Sequence, residues 1–594
     1  MLEEETVSQA TYDLYETEAG VEALINGAYN TLRWQYNGEQ SFTLWNYGVD
    51  EYIQAADGSN KFVDGYTNQL NSTFTMFHDM WAEQYQGINR VNTALELIPT
   101  VKGEGGSLST DAGKATRIAE LRFLRGYFYF LLVQQFGGVP ISLQATKGVS
   151  LEYPRATTAE VYDVIISDMR AAADGLPETQ AQRGRITKGA ANHFLAKVYL
   201  TRGSAVQDER GQKTTDMDSA AYYADLVITS GRYSLAPDFA DLWKIQNESG
   251  LYNSEFILGV QFNNNALLLN NSGNRVHLYF QMTYDVKPGM LRDIANGRPF
   301  RRMRPTPYTI NVSDRKNDSR FYKSFRTAYF ANNTATIPKW TQADADKGYI
   351  AASLVGKAKF AIGDTAFFVT MDQNVSDAAI AKKPYLWIPQ NKHSNSDFPS
   401  LIKHLDPTRL DVGTEFSQRD GIIARLGETY LIGAEAYGRK GDYAKAAEYI
   451  NKLRTRAAYK DGEPKPTHFW KSEGGTWGDV TNTEAALLIT PAYWDTDKPL
   501  EMYPPSATSK ESRFIHFILN ERTRELLGEL HRWNDLVRTE TFLERVKAYH
   551  SIAALAVKDF HKLRPIPQAH LERVFVNGRP MTAEERAANQ NPGY

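Results

Sequence analysis

The chain has 594 residues, 67 Lys and Arg against 70 Asp and Glu, and no cysteine. Its length exceeds one ordinary compact core and calls for several domains or a helical array, and a net charge of −3 argues against a large nucleic-acid footprint. The missing thiols exclude disulfides, cysteine nucleophiles, thiolate metal sites and iron–sulfur clusters.

No apolar run approaches the roughly 18 to 20 residues that cross a bilayer. Met1-Leu2-Glu3-Glu4-Glu5 carries neither the basic nor the apolar region of a signal peptide, so export is not legible from it.

Three-to-four spacing of apolar residues predicts helices over 22–34, 75–98, 115–136, 159–173, 187–201 and 219–230. Within the third, Leu121, Leu124, Phe128 and Leu131 form one stripe and Phe123, Tyr127 and Phe130 a second, so the helix is expected to be packed on several sides. Gly137 and Gly138 supply a left-handed stop and Pro140 forbids resumption. Glu120, Arg122 and Arg125 are charges amid aromatic surface and are expected to form buried ion pairs.

Helical spacing returns at 422–439, 442–457, 515–530 and 533–550. The turn 438–443 has Asp442 as the expected N-cap, with small Ala residues after it that permit close helix contact. This pairing is the grammar of tetratricopeptide helix hairpins without a strict 34-residue period. The expected fold is mainly α, a tetratricopeptide-like helical-repeat scaffold with long irregular loop inserts and a few short strands.

From about 232 to 420 the text changes to β-like runs such as Phe256-Ile-Leu-Gly-Val-Gln-Phe262, Asn-rich stretches at 263–265 and 270–271, and isolated aromatics. A second insert, about 458–512, carries Trp470, Trp477 and Trp494. Long irregular inserts are usually functional, so binding is expected there and in the polar segment 36–74.

Catalytic readings find little support. His531-Arg532-Trp533 with Asp535 sits among Arg522, Arg524, Glu525 and Glu529, the makings of a structural ion network. His393 and His404 lie eleven apart without metal-ligand spacing. No strand leads into Gly103-Glu-Gly-Gly106, and no Gly-Lys-Ser follows it. Arg301-Arg302-Met303-Arg304, the richest basic cluster, is expected to be a solvated loop. No enzyme activity, cofactor or metal centre is expected, and Ala343-Asp-Ala-Asp346 reads equally as a solvated turn or an ion site.

Several segments resemble the SusD-like (RagB/SusD) family of outer-membrane glycan-binding lipoproteins. They are Trp81-Ala-Glu-Gln-Tyr-Gln-Gly-Ile-Asn-Arg-Val-Asn92, the 120–140 helix with its Phe-Gly-Gly-Val-Pro stop, and Gly184-Arg-Ile-Thr-Lys-Gly-Ala-Ala191 leading into Ala196-Lys-Val-Tyr-Leu200. Ile518-Leu-Asn-Glu-Arg-Thr-Arg-Glu-Leu-Leu527 follows with Gly528 to Leu536, then Leu563-Arg-Pro-Ile-Pro-Gln568 and Asn589-Gln-Asn-Pro-Gly-Tyr594. Order and spacing match from end to end.

The resemblance implies a single SusD-like domain over 1–594. Its helical scaffold would span about 15–230 and 420–550, with ligand-facing inserts at about 36–74, 232–420 and 458–512. It also implies a lipid-anchored protein of the outer membrane and cell surface whose partner is a SusC-like TonB-dependent transporter. Leu2-Glu-Glu-Glu5 resembles the stretch after the family's lipidated cysteine, so membrane contact is expected only through an anchor absent from this sequence.

The expected function is a non-catalytic oligosaccharide receptor that delivers glycan to that transporter. The alternative is a helical-repeat interaction module binding a peptide or other non-glycan nutrient. Sugar binding needs flat aromatic faces and planar polar groups. The candidates are Trp45, Asn46, Asp50, Asp57 and Tyr66 from the early loop and Tyr284, Tyr308 and Trp340 from the large insert. None is carried over from a family motif.

Overall fold

The computed structural model describes every residue except 1–14, 253, 264, 266–272, 462 and 464–481. Met1 to Glu5, Asn264, Asn270, Asn271, Trp470 and Trp477 therefore lie outside the described residues. The principal helices are α1 (Glu18–Thr31), α2 (Thr75–Leu97), α3 (Asp111–Phe136), α4 (Thr158–Gly175), α5 (Lys188–Gly203), α6 (Asp216–Ile228), α7 (Leu426–Arg439), α8 (Tyr443–Ala457), α9 (Lys510–Leu526), α10 (Arg532–Arg538) and α11 (Phe542–Tyr549).

Eight of these helices form the pairs α1/α2, α3/α4, α5/α6 and α7/α8, and successive pairs pack on one another. The large insert leaves after α6, yet α7 packs directly on α6, so the array continues as though the intervening chain were absent. The fold is mainly α with short strands, as the apolar spacing requires.

Helix α3 is the hub. Its residues from Ala119 to Val133 are buried except Arg122, whose side chain is partly exposed beside Asp168, and Gly137 ends it at φ +71°, a conformation that favours glycine. A Cβ on Gly138 would meet the Ala156 carbonyl at 2.1 Å. The charges on α3 are paired as expected: Arg125 grips Asp168 through Nε at 2.7 Å and Nη2 at 2.9 Å, and Glu120 receives Arg117 and Arg185 at 2.8 and 3.0 Å. At the turn between α7 and α8, Asp442 caps as expected by accepting the Lys445 N–H at 2.9 Å.

Seven strands matter here: β1 (Tyr52–Gln54), β2 (Phe256–Val260), β3 (Met303–Pro305), β4 (Ala328–Phe330), β5 (Thr365–Val369), β6 (Leu386–Ile388) and β7 (Gly421–Arg425). β1 pairs antiparallel with β3, β2 with β7 and β4 with β5, while β5 and β6 run parallel. Residues 422–425, expected to open a helix, instead form β7, because their backbone groups are taken by a strand some 160 positions earlier. The helix expected over 533–550 is broken at Thr539–Thr541, where Glu540 has φ +56°.

A lattice of buried charge joins insert to frame. Glu521 and Glu525 in α9, and Glu529 just beyond it, recur every four residues and so share one face. Arg320 of the insert reaches Glu521 at 2.8 Å and Glu525 at 3.0 Å. Arg425 reaches Glu525 at 2.6 Å and Glu529 at 2.7 Å. Arg454 of α8 holds Glu521 at 2.7 Å, and Lys403 holds Glu529 at 2.8 Å. All are buried. The predicted consequence is that Glu525→Gln, which leaves Arg320, Arg425 and Arg456 facing a neutral amide, costs roughly 3–5 kcal/mol in urea unfolding; a loss below about 1 kcal/mol would contradict it.

Burial holds the imidazoles of His277 and His516 down to about 3 and those of His393, His404, His531, His561 and His570 to about 4. The unfolded chain binds these protons from about pH 6.5, so their contribution is present above that value and lost as pH falls toward 4. Glu51 and Glu248, raised by burial to about 7, act in the opposite sense between pH 7 and 4.5 but are fewer. The thermal midpoint is expected to be lower at pH 5 than at pH 7.5, and an equal or higher midpoint at pH 5 would overturn this.

Candidate functional site

Seven of the eight expected ligand residues are buried. Trp45 ends a short helix, Gln40–Trp45, whose side chains from Ser41 onward all face inward. Asn46 is buried beside it. Asp50 is gripped by Arg532 Nε and Arg545 Nε, each at 2.6 Å, which holds its carboxyl at about 2 against the cost of burial.

Tyr66 donates its hydroxyl to the Gly48 carbonyl at 2.8 Å and packs on His561. Tyr284 donates to the Gly297 carbonyl at 2.6 Å, and Tyr308 donates to Asn520 Oδ1 at 2.7 Å while stacked on Tyr549. Trp340 is 7% exposed with Lys359 Nζ 4.2 Å from its ring centre. These rings have no free face for a sugar, because their surface is spent on packing, and the three tyrosine hydroxyls are spent on backbone and buried partners.

Asp57 is different: its side chain is 53% exposed. It marks where the early loop and the large insert converge. β1 and β3 set the junction, and beyond it the Ala56 N–H donates to the Asn395 carbonyl at 2.9 Å and the Asp57 N–H to the Arg301 carbonyl at 3.0 Å. Arg301 Nη2 and Arg302 Nη1 reach Asp57 Oδ2 at 3.2 and 3.4 Å. Arg301 has φ +50°. That left-handed residue breaks the alternation of an extended chain, so two consecutive guanidinium groups turn to one carboxylate. Burial raises the Asp57 carboxyl, but the Gly58 N–H and the two arginines outweigh it and hold the group below its ordinary value.

From Asp57 a shelf of partly exposed side chains runs both ways. In one direction Arg302 Nε bonds Glu39 at 2.7 Å, and the guanidinium groups of Arg298 and Arg302 each lie 5.0 Å from the centre of the half-buried Phe300 ring. Phe300 rests edge-on against Tyr279. In the other direction Arg304 Nε donates to Asn395 Oδ1 at 3.0 Å. His393 Nε2 lies 3.1 Å from the Thr370 carbonyl, and Trp387 Nε1 donates to Thr370 Oγ1 at 2.7 Å. Burial, with Arg304 nearby, keeps the His393 ring neutral at pH 7. Trp387 is half-buried at the far end, with Lys383 Nζ 5.5 Å from its ring.

The shelf thus offers two aromatic rings with guanidinium, amide and carboxylate groups between them, the chemistry that meets the faces and hydroxyls of a sugar chain. Phe300, Arg301, Arg302, Arg304, Trp387 and Asn395 were not singled out as ligand contacts by sequence reasoning. The available signal was the basic run 301–304 beside Phe300, which is not a solvated loop: it includes β3, and Arg304 is lowered by burial. The residues offered as catalytic are structural: Asp535 pairs with Arg522 and Arg538, and His531 lies beside Lys197 and Glu428. In Gly103-Glu-Gly-Gly106, the Glu104 and Gly106 N–H groups bond the Glu18 carboxylate of this same chain.

Residues 2–200 match the family described as starch-binding, associating with the outer membrane, and residues 270–594 match the SusD family. SusD-like protein P2 of Formosa agariphila is 29% identical over 252 residues, 41% of this chain and 46% of that protein, so the match spans less than half of that relative. SusD-like protein P25 of the same organism is 24% identical over 529 residues, 87% of this chain and 79% of that protein. A solved laminarin-binding SusD-like protein superposes with a TM-score of 0.62 at 21% identity, covering 98% of this chain and 100% of that one, a likeness of fold. With the SusD match alone extending over more than half its length, the chain belongs to the SusD family.

Proposed function

We propose that the protein is a non-catalytic cell-surface receptor that captures oligosaccharide on the shelf between Phe300 and Trp387 and passes it to a SusC-like TonB-dependent transporter. The observation that carries this reading is the meeting of two distant segments, 55–61 and 298–304, at an open surface bearing rings and planar polar groups. The family's association with the outer membrane supports a lipid anchor there; among the described residues no helix is long and apolar enough to cross a membrane. The family's description as starch-binding and the laminarin-binding relative support carbohydrate as the ligand class.

Phe300 and Trp387 are partly exposed, Phe300 at the edge of the core, so truncating them disturbs the core less than truncating a fully buried ring. Phe300→Ala and Trp387→Ala are therefore expected to weaken oligosaccharide binding in titration calorimetry by roughly 5- to 30-fold, on the order of 1–2 kcal/mol each. Trp45→Ala, by contrast, is expected to cost roughly 3–5 kcal/mol of stability as a core truncation. Unchanged affinity in both shelf variants, or heat from a peptide where a broad glycan panel gives none, would contradict the proposal.

A further inference from the structure

The shelf is unbalanced in charge. Lys61, Arg275, Arg298, Arg301, Arg302 and Arg304 are all partly exposed along it. They face three carboxylates: Glu39, Asp57 and Glu415. Arg275 and Arg298 share Glu415, and Arg301 and Arg302 share Asp57. Arg304 spends its Nε on the neutral Asn395 amide, and Lys61 Nζ donates to the Ala56 carbonyl. Neither has a carboxylate within ion-pair distance among the described residues.

Other acids nearby do not restore the balance. Asp397 is paired with Lys287, whereas the buried Asp64 accepts the Gly48 and Gln54 N–H groups and acts on Arg304 from beyond ion-pair distance. At the Trp387 end the half-buried Asp372 has Arg315 as its charged neighbour. With Asp64 counted, six cations against four anions leave an excess of two positive charges on one face of a chain whose net charge is −3. Such a face raises the local concentration of anions, and guanidinium forks bind carboxylate and sulfate oxygens in pairs.

We infer that the ligand of this shelf is an anionic oligosaccharide, one bearing carboxylate or sulfate groups. The inference rests on the receptor reading above. Arg304, with no carboxylate within ion-pair distance among the described residues, is the anchor for the anionic substituent, and the Asp57 pair takes flanking hydroxyls.

The test uses the full chain in titration calorimetry with three length-matched ligands: a neutral β-glucan hexamer, an oligogalacturonate hexamer and a sulfated galactan hexamer, each at 50 and 300 mM NaCl. At least one anionic ligand is expected to bind 10-fold or more tighter than the neutral one and to lose several-fold in affinity at the higher salt. Which of the two prevails distinguishes carboxylate from sulfate. Arg304→Gln should reduce anionic binding 5-fold or more and neutral binding by a smaller factor, and equal losses for both classes overturn its role as the anionic anchor. Neutral binding equal to or tighter than both anionic ligands, without salt dependence, overturns the inference and leaves the receptor reading standing. No heat from any of the three or from a wider glycan panel defeats both.

Discussion

The structure depends on charges buried between the helical frame and the insert. Glu521, Glu525 and Glu529 present one acidic face, and Arg320, Arg425, Arg454 and Lys403 come to it from segments up to some 200 residues away. Such pairs are a poor source of net stability, since desolvation offsets much of the attraction. What they supply is intolerance of error. An insert docked one turn out of register would leave several guanidinium groups buried without acids, whereas an apolar joint would tolerate sliding. The same logic fixes the early loop, where Asp50 is held by Arg532 and Arg545, nearly 500 positions along the chain.

The ligand-facing shelf is built on these joints and not in a deep cavity. β1 and β3 tie the early loop to the insert, and Asn395 and Arg301 continue the tie through backbone bonds. The rings at its ends are supported from below, Phe300 by Tyr279 and Trp387 by its bond to Thr370. Side chains held this way lose little further freedom on binding, and that favours affinity in a shallow, hydrated site. The left-handed Arg301 is local strain maintained where two guanidinium groups must converge.

Much of the frame was legible in the sequence because helices announce themselves by local spacing. The stripes of α3, its Gly137 stop and the Asp442 cap all rest on residues a few positions apart. Legibility failed wherever a partner lies far away in the chain. Ile422 to Arg425 looks helical until β2 is placed beside it, and Asp50 looks like a surface acid until Arg532 arrives. The aromatic candidates failed for a related reason: a Trp or Tyr letter in a polar segment does not say which way its ring turns. Trp45, Tyr66, Tyr284 and Tyr308 turn inward because their loops are packed layers of the core. Arg301 to Arg304, dismissed as solvated, acquire their meaning from Asp57 and Asn395, about 250 residues before and 90 after them.

The central claim is that ligand meets the protein where the early loop and the insert join, with the helical hairpins as frame. Hydroxyl-radical footprinting with and without a saturating oligosaccharide tests it most directly, because half-exposed rings report contact by losing oxidation. The account predicts protection at Phe300 and Trp387, with no change at the exposed Tyr222 of α6. Protection confined to Tyr222 and other hairpin residues, with Phe300 and Trp387 oxidised as before, would contradict it.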